Sequence, residues 1–195
     1  MAVNIDVLTG AALHDAVDAL AALRIAVFAE YPYLYDGSAE YERAYVREFM
    51  AEPDSVLIAA KDAGRIVGAA TASPMASQKP EFRAPFDARG IDTASLFYFG
   101  ESVLLPEYRG QGIGHAFFDA REAQAQAWGA SSACFASVVR PDDHPLRPAG
   151  YHPHDRFWTG RGYAPVGGLV TQLAWKDHGE AAETPKAMQY WLRAF

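Results

Sequence analysis

A glycine-rich run in the middle of the chain has the residue types of an anion-binding site. Gly110, Gly112 and Gly114 stand at alternate positions directly after Arg109. Glycines let a ligand approach the backbone without meeting a Cβ, and the guanidinium of Arg109 adds a permanent positive charge. The alternative is a glycine-rich connection without a ligand. We favour the binding site, because glycines at a helix start destabilise the helix unless something requires a bare backbone.

The segments on either side of this run must be a strand and a helix if the run is to hold an anion. Residues 96–105 are apolar and aromatic, which predicts a strand, and Pro106 ends its hydrogen-bonding ladder. From 113 to 128 apolar residues recur at helical spacing, and Gly129 supplies the stop. The first amides of such a helix lack partners within the helix and carry partial positive charge, which predicts a phosphate or diphosphate ligand.

The glycine pattern differs from two common nucleotide-binding motifs. No lysine follows the glycines, as the phosphate-binding loop of nucleoside triphosphatases requires, and His115 stands where the dinucleotide fingerprint needs its third glycine. The run instead resembles the acetyl-CoA signature of the GNAT superfamily of N-acetyltransferases, Arg/Gln-x-x-Gly-x-Gly/Ala. Arg109, Gly112 and Gly114 match it position for position, and the strand before it and helix after it add specificity.

The order of predicted elements along the chain also resembles the GNAT fold. The predicted elements are a strand at 4–8, helices at 11–28 and 38–50, a hairpin of 55–61 with 65–74, the central strand, the helix after the glycines, a strand at 133–139, a short helix at 154–161 and strands at 165–166 and 170–176. The resemblance implies a single α/β (α+β) domain over 1–195, with a mixed central sheet of about six to seven strands. That sheet is splayed between strands 4 and 5 and carries helices on both faces. Residues 177–195 are predicted to be a C-terminal extension whose aromatic side chains pack on the domain or on the second subunit of a homodimer.

The resemblance implies acetyl-CoA as the cosubstrate and assigns it two sets of backbone contacts. In the GNAT family the pantetheine arm lies in the splayed gap and pairs with the fourth strand, while the diphosphate lies on the turn that follows. In this chain the strand residues are Ser102, Val103 and Leu104, and the turn residues are Arg109, Gly110, Gln111, Gly112, Ile113, Gly114 and His115. For the strand residues the alternative is an ordinary buried strand.

Direct attack of an amine on a thioester needs a base, a donor that polarises the carbonyl, and an acid for the thiolate. The GNAT resemblance implies a base on the central strand or the adjacent one. Glu101 is the only carboxylate in the central strand, and the strand at 133–139 contains none, so Glu101 is the candidate base. Its alternatives are an ion pair with an arginine such as Arg140, or a position facing solvent at a bulge. Tyr98 is a further catalytic candidate, although strand alternation puts it on the opposite face from Glu101 unless a bulge intervenes.

The candidate acid departs from the family pattern, which places a tyrosine in the short helix after the fifth strand. Trp158 stands at that position, and an indole cannot protonate a thiolate. Tyr151 and His152 are the nearest replacements, with an inert loop position as the alternative for each. The aromatic residues predicted to line an acceptor pocket, or alternatively to be core and rim packing, are Tyr31, Tyr33, Tyr35, Phe82, Phe86, Tyr98, Tyr151 and Trp158. With Glu101, Asp142 and Asp143 at its mouth, such a pocket suits a small cationic or aromatic amine.

Composition limits the classes of function. Half of the 195 residues are hydrophobic and 21% are charged, which is typical of a globular domain, and the net charge of −7 argues against a nucleic-acid surface. The single cysteine, Cys134, excludes an intrachain disulfide, and the histidine spacing predicts no metal site. Short apolar runs and the absence of a secretion signal predict a cytoplasmic protein without a membrane span.

These observations predict an N-acetyltransferase that moves an acetyl group from acetyl-CoA to the primary amine of a small molecule in a ternary complex. Trp158 keeps a second hypothesis open, in which the chain is a catalytically weak acyl-CoA-binding sensor or assembly module.

Overall fold

A computed structural model describes residues 3–195, and a seven-stranded mixed sheet runs through its centre. The strands are β1 (Asn4–Leu8), β2 (Val56–Asp62), β3 (Arg65–Pro74), β4 (Leu96–Leu104), β5 (Ser132–Val138), β6 (Ala164–Trp175) and β7 (Thr184–Ala194). The α-helices are α1 (Val17–Phe28), α2 (Ala39–Ala51), α3 (Pro80–Asp87), α4 (Ile113–Trp128) and α5 (Asp155–Gly160). The strand order is β1-β2-β3-β4-β5-β7-β6, and only β4 and β5 pair in parallel. The predicted mixed α/β sheet is confirmed.

Local sequence signals explain several of these boundaries. Ala63 and Gly64 form the two-residue turn between β2 and β3, and both have positive φ, which is the backbone twist a tight hairpin needs. The hydroxyl of Ser38 accepts a hydrogen bond from the Tyr41 amide at 3.3 Å and caps α2. Gly129 ends α4 in the left-handed region, as predicted.

Three segments differ from the sequence-based predictions. The segment predicted as one helix over 11–28 begins as a 3₁₀ helix, Gly10–Ala16. The segment 77–93, to which no element is assigned from the sequence, contains α3, which starts at Pro80, where a missing amide costs nothing. The tail forms β7, which lies inside the sheet between β5 and β6. Alternate residues of this strand, such as Met188 and Tyr190, are buried, so the tail is part of the core.

The helices cover both faces of the sheet. On one face α4 contributes Ile113, Phe117 and Phe118 to a core cluster that also contains Phe99. On the other face α1 and α2 pack over a cluster that contains Val103. α3 contributes Phe82 and Phe86 to a third cluster with Tyr98.

The sheet opens between β4 and β5. These strands pair only where residues 96–98 face 132–134, so the part of β4 beyond Tyr98 has no partner on the β5 side. The predicted splay is confirmed. On its other side β4 pairs with β3, and this ladder contains a bulge in which Gly100 and Glu101 together face Thr71.

Candidate active site

The start of α4 presents a row of unpaired amides, which we call the amide cradle. It comprises the backbone N–H groups from Gly110 to His115, and none of them donates a hydrogen bond within the described residues 3–195. Gly112 precedes the helix with a φ of 82°, and Gly110 has a φ of 74°. A side chain would strain both positions, so these glycines let the chain turn sharply and direct its amides outward.

The space in front of the amide cradle is open. A Cβ added at Gly110 or Gly112 would meet no atom within 4 Å. A Cβ at Gly114 would lie 3.6 Å from the ring of Phe157, so this glycine adjoins α5 instead. Free amides, helix polarity and open space are what a diphosphate needs, and the cradle therefore has the features of a diphosphate-binding site.

The side chains around the amide cradle have partners of their own. Arg109 forms a two-pronged ion pair with Glu30, at 2.8 and 2.9 Å, and its Nε donates to the Leu104 carbonyl at 3.1 Å. Gln111 Nε2 donates to the Glu107 carbonyl at 3.0 Å. The imidazole of His115 packs edge-on against Phe157, with 4.8 Å between ring centroids. Arg109, which the sequence predicts at the rim of the anion site, is therefore paired with the carboxylate of Glu30 in the loop after α1.

The exposed edge of β4 offers backbone groups from alternate residues. The Leu105 amide donates to the Val67 carbonyl of β3 at 3.1 Å. Since successive residues of a strand direct their backbone groups to opposite sides, those of Val103 also face β3, and those of Ser102 and Leu104 face the gap. Of the three strand residues predicted from the sequence, two present their backbone to the gap.

The bulge in β4 changes which face the following side chains occupy. Phe99 packs against α4, whereas Val103 packs against α1 and α2 on the other face. Without an extra residue these two side chains would share a face. As a result Tyr98 and Glu101 lie on the same side of the sheet. The sequence allowed this arrangement only if a bulge separated the two residues.

Glu101 belongs to a charged cluster, which we define as Arg24, Glu42 and Glu101 with the neighbouring Tyr33, Tyr45 and Tyr98. The guanidinium of Arg24 is ion-paired with the fully buried Glu42 and lies 2.9 Å from Glu101 Oε2. Burial alone would lower the pKa of Arg24, but the charges of the two carboxylates outweigh it and raise that pKa. The net charge of the cluster is negative, because two carboxylates face one guanidinium.

Arg140 is not the partner of Glu101 that the sequence allowed. Its guanidinium pairs with both carboxylate oxygens of Asp177, at 2.8 and 2.9 Å, and donates to the carbonyls of Pro32 and Tyr33. The Trp175 indole N–H also donates to the Tyr33 carbonyl, at 3.0 Å. Arg140 therefore tethers the tyrosine-bearing loop between α1 and α2.

The tyrosines of the charged cluster keep their protons at neutral pH. Burial, together with the negative charge of Glu101, raises the pKa of Tyr33 to about 12. Burial also raises the pKa of Tyr45 and of Tyr98. Each phenol is therefore a hydrogen-bond donor rather than a base.

Tyr151 lies beside this cluster. Its ring packs edge-on against Tyr31 at 4.6 Å, and the Arg147 guanidinium lies 5.5 Å from its ring centroid. Burial and the neighbouring Tyr31 raise its pKa. Glu101, Tyr98 and Tyr151 each lie within electrostatic range of Tyr33.

An open cleft lies along the start of α5. Its volume is about 590 Å³, and its lining residues are His152, Pro153, Asp155 and Arg156. Next to it, burial and the positive charge of Arg109 lower the pKa of His154. The charge of Arg109 therefore acts on a residue at the edge of this cleft.

Comparison with known proteins identifies the family. A family model described as the acetyltransferase (GNAT) family matches residues 20–149, which is more than half of the chain. The chain belongs to the GNAT family of acetyltransferases. Its members are acetyl-CoA-dependent acyltransferases, and this chain is one of them.

Solved structures share the GNAT fold at low sequence identity. A ribosomal-protein-alanine N-acetyltransferase from Brucella melitensis is 13% identical with a TM-score of 0.63, over 98% of this chain and 99% of that one. An N-acetyltransferase from Staphylococcus aureus is 12% identical with a TM-score of 0.60, over 98% of each chain. An IAA acetyltransferase from Bacillus cereus is 11% identical with a TM-score of 0.56, over the whole of both chains. No curated protein sequence matches the chain.

The GNAT tyrosine position is filled here by a partly buried residue that packs against the core. Trp158 packs against Phe135 and Trp191 at 5.0 and 5.1 Å, on the α4 face of the sheet. Phe86 is a core residue, fully buried against Tyr190 at 4.7 Å. Neither of these two belongs with the tyrosines of the charged cluster, so the predicted aromatic lining is smaller than the sequence suggested.

Two charged members of the cluster were not among the candidates from the sequence. Arg24 and Glu42 lie in α1 and α2, where each is one charged residue within an ordinary amphipathic pattern. The signal that could have found Arg24 is its position between Leu20, Leu23 and Val27, where a charge enters the apolar stripe of α1.

Two further findings concern the described residues alone. Between residues 3 and 195 no group of three or more His, Cys, Asp and Glu side chains is arranged to hold a metal ion. No helix in the described part of the chain is both long enough and apolar enough to cross a membrane.

Proposed function

We propose that this GNAT protein transfers an acetyl group from acetyl-CoA to the primary amine of a small molecule, by direct attack within a ternary complex. The observation that carries the proposal is the juxtaposition of a free amide cradle, an unpaired β4 edge and a negatively charged cluster at the β4 bulge. Acetyl-CoA would supply the activated thioester, and the chain supplies binding, orientation and proton transfer.

The cofactor half of the proposed site consists of backbone groups. The amide cradle, from Gly110 to His115, is assigned to the diphosphate, and the groups of Ser102 and Leu104 that face the gap are assigned to the pantetheine arm. The Leu104 carbonyl already accepts from Arg109, which leaves the Leu104 amide and both groups of Ser102. Ser102 is exposed, so the edge is accessible from the gap.

The acceptor half consists of the charged cluster. Its net negative charge attracts an ammonium group, and the phenol rings of Tyr33, Tyr45 and Tyr98 offer apolar faces for the rest of a small molecule. The solved structures with this fold carry names with different acceptors, a ribosomal-protein alanine in one and IAA in another. The acceptor class proposed here is therefore inferred from this chain's own residues.

Proton transfer in this proposal uses Glu101 and Tyr151. Arg24 holds Glu101 Oε2, while Oε1 has no hydrogen-bond partner within residues 3–195 and is free to accept the proton of the attacking amine, directly or through a water. The protonated hydroxyl of Tyr151 is assigned to the departing thiolate, in place of the tyrosine that Trp158 replaces. The buried, protonated hydroxyl of Tyr98 is assigned to a hydrogen bond with the acceptor or the acetyl carbonyl.

Thiol release from acetyl-CoA over a panel of acceptors tests the proposal. The panel contains aliphatic diamines, aromatic amines, amino acids and a peptide with an N-terminal alanine. We expect saturable turnover with a small primary amine, and a kcat in Glu101→Gln that is lower by about 10²–10⁴-fold, the usual contribution of a general base. Binding of CoA to this variant, measured by calorimetry, should stay close to that of the wild type.

Glu107→Gln is the matched control, because Glu107 is an exposed carboxylate near the cradle whose side chain has no assigned role. It should turn over like the wild type. Turnover of the peptide in preference to every small amine would contradict the acceptor class. Tight CoA binding without turnover on any acceptor would favour a sensor.

A further inference from the structure

Arg121 of α4 is a buried cation without an acidic partner. Its side chain is 1% exposed, and no carboxylate lies within 4.0 Å of its guanidinium in the described part of the chain. The guanidinium is held between the rings of Phe99 and Phe118, 4.6 Å from each centroid. Burial lowers the pKa of Arg121 to about 10, so it remains charged at neutral pH. A buried charge is costly unless it is compensated, so its contacts need an explanation.

The contacts of Arg121 converge on the bulge in β4. Its Nη1 donates long hydrogen bonds to the carbonyls of Thr71, at 3.5 Å, and Glu101, at 3.4 Å. Its Nε donates to the Phe117 carbonyl one turn earlier in α4, at 3.3 Å, which fixes the direction of the side chain. A bulge disrupts the regular ladder, and these two carbonyls lie on the two strands where the disruption occurs.

The opposite side of the bulge is fixed by Thr71 and Gly100. The Glu101 amide donates to the Thr71 hydroxyl at 3.2 Å. A Cβ at Gly100 would come within 2.4 Å of that hydroxyl oxygen, so a glycine is required for the two strands to approach. The bulge is therefore held by a hydroxyl and by a buried guanidinium together.

We propose that Arg121 is the positioning residue of the acetyl-transfer site. It holds the bulge in the one shape that directs the Glu101 side chain toward Arg24 and the backbone of Ser102 toward the gap. Arg121 follows Ile113 by eight residues, so about 12 Å of helix separates it from the amide cradle. One rigid helix therefore presents the amides at its start and fixes the reacting end of the site two turns later.

This inference rests on the proposed function for its catalytic consequence, but the structural role can be tested without turnover. Arg121→Met keeps a long apolar stem between the two phenyl rings and removes the donors. We expect kcat to fall about 100-fold, the effect of a misplacement of about 1 Å at a reacting centre, while the Kd for CoA changes less than about threefold. Hydrogen exchange at the amides of residues 100–104 should become about tenfold faster, because the bulge opens locally.

Arg121→Lys is the conservative variant, since it retains a charge that can reach the same carbonyls, and it should recover at least about a tenth of the wild-type kcat. Gly100→Ala disturbs the bulge from the other side and should give the same split between kcat and CoA binding. Combined with Arg121→Met it should be less than additive, because both act through one structure. Arg193→Met is the matched control, because Arg193 stacks on aromatic rings without touching the bulge.

The outcomes separate this inference from the proposed function. If Arg121→Met has wild-type kcat and wild-type exchange at 100–104, the inference is overturned even though the enzyme turns over. If the wild type turns over no acceptor but Arg121→Met loosens 100–104, the positioning role holds and the proposed function fails. If Arg121→Met does not fold, Arg121→Lys and Gly100→Ala decide, and an unchanged kcat in Gly100→Ala contradicts the role of the bulge.

Discussion

The cofactor half of the proposed site is made of backbone amides in one short stretch, whereas the acceptor half is made of side chains from α1, α2, β4 and the loop between the helices. The amide cradle is exposed, and its amides are unpaired. The charged cluster is buried, and each of its charges already has a partner. A site made of free backbone groups tolerates side-chain change, while a site made of buried paired charges is also part of the protein's stability.

The sharpest test of this difference is removal of the buried cation. Arg24→Met should lower the free energy of unfolding by about 3–5 kcal/mol, because it leaves Glu42 and Glu101 as uncompensated buried carboxylates. Arg109→Met, which breaks an exposed ion pair of the cofactor half, should cost no more than about 1 kcal/mol. Denaturant unfolding of both variants measures the two free energies of unfolding. Equal decreases in Arg24→Met and Arg109→Met would contradict the proposed difference between the two halves.

The second test uses the two ends of α4. Gly112→Ala and Gly129→Ala both place a Cβ in open space at positive φ, so each should destabilise the protein by a similar amount, about 1–2 kcal/mol. Only Gly112 lies in the amide cradle. We therefore expect Gly112→Ala to weaken CoA binding about tenfold or more in calorimetry, because its Cβ occupies the space assigned to the diphosphate. A similar loss in Gly129→Ala would mean that strain alone explains the effect.

The third test concerns the side chain at the rim of the cradle. Glu30→Gln releases Arg109 from a carboxylate, so the guanidinium becomes available to a phosphate group. The Kd for CoA should fall about two- to fivefold at low salt, the range expected for one exposed ion pair. The gain should vanish near 1 M salt, where screening acts over about 3 Å. Weaker CoA binding in this variant would show that Glu30 supports the cradle rather than competing with it.

The smallest expected effect is a pH dependence at the strands that support the acceptor half. The Asp177 amide, Lys186 and Thr184 donate to Glu180 and lower the pKa of its carboxyl to about 2. Since the folded-state pKa lies below the usual value of 4.5, its stabilising contribution is complete above pH 4.5 and is lost as the pH falls toward 2. The Tm difference between wild type and Glu180→Gln should therefore shrink over that interval. A Tm difference that does not change with pH would show that Glu180 stabilises the fold through packing rather than through its charge.

The cofactor half of the site could be predicted from the sequence, whereas most of the acceptor half could not. The amide cradle and the β2–β3 turn depend on glycines and their immediate neighbours, so local patterns were sufficient to place them. The ion pairs of Arg24 with Glu42 and Glu101 join residues that are far apart in the chain, and no local pattern encodes such a meeting. The bulge was anticipated only as a possibility, because it depends on how Thr71 faces Gly100 across two strands.

The position of β7 has a consequence for how the sheet assembles. β6 precedes β7 in the chain, yet it joins the other strands only through β7, which separates it from β5. During synthesis β6 therefore emerges before its strand partner β7, and its edge stays uncovered until that segment arrives. Formation of this side of the sheet is a late, non-local step, and chaperone contacts on the nascent chain should concentrate on residues 164–175.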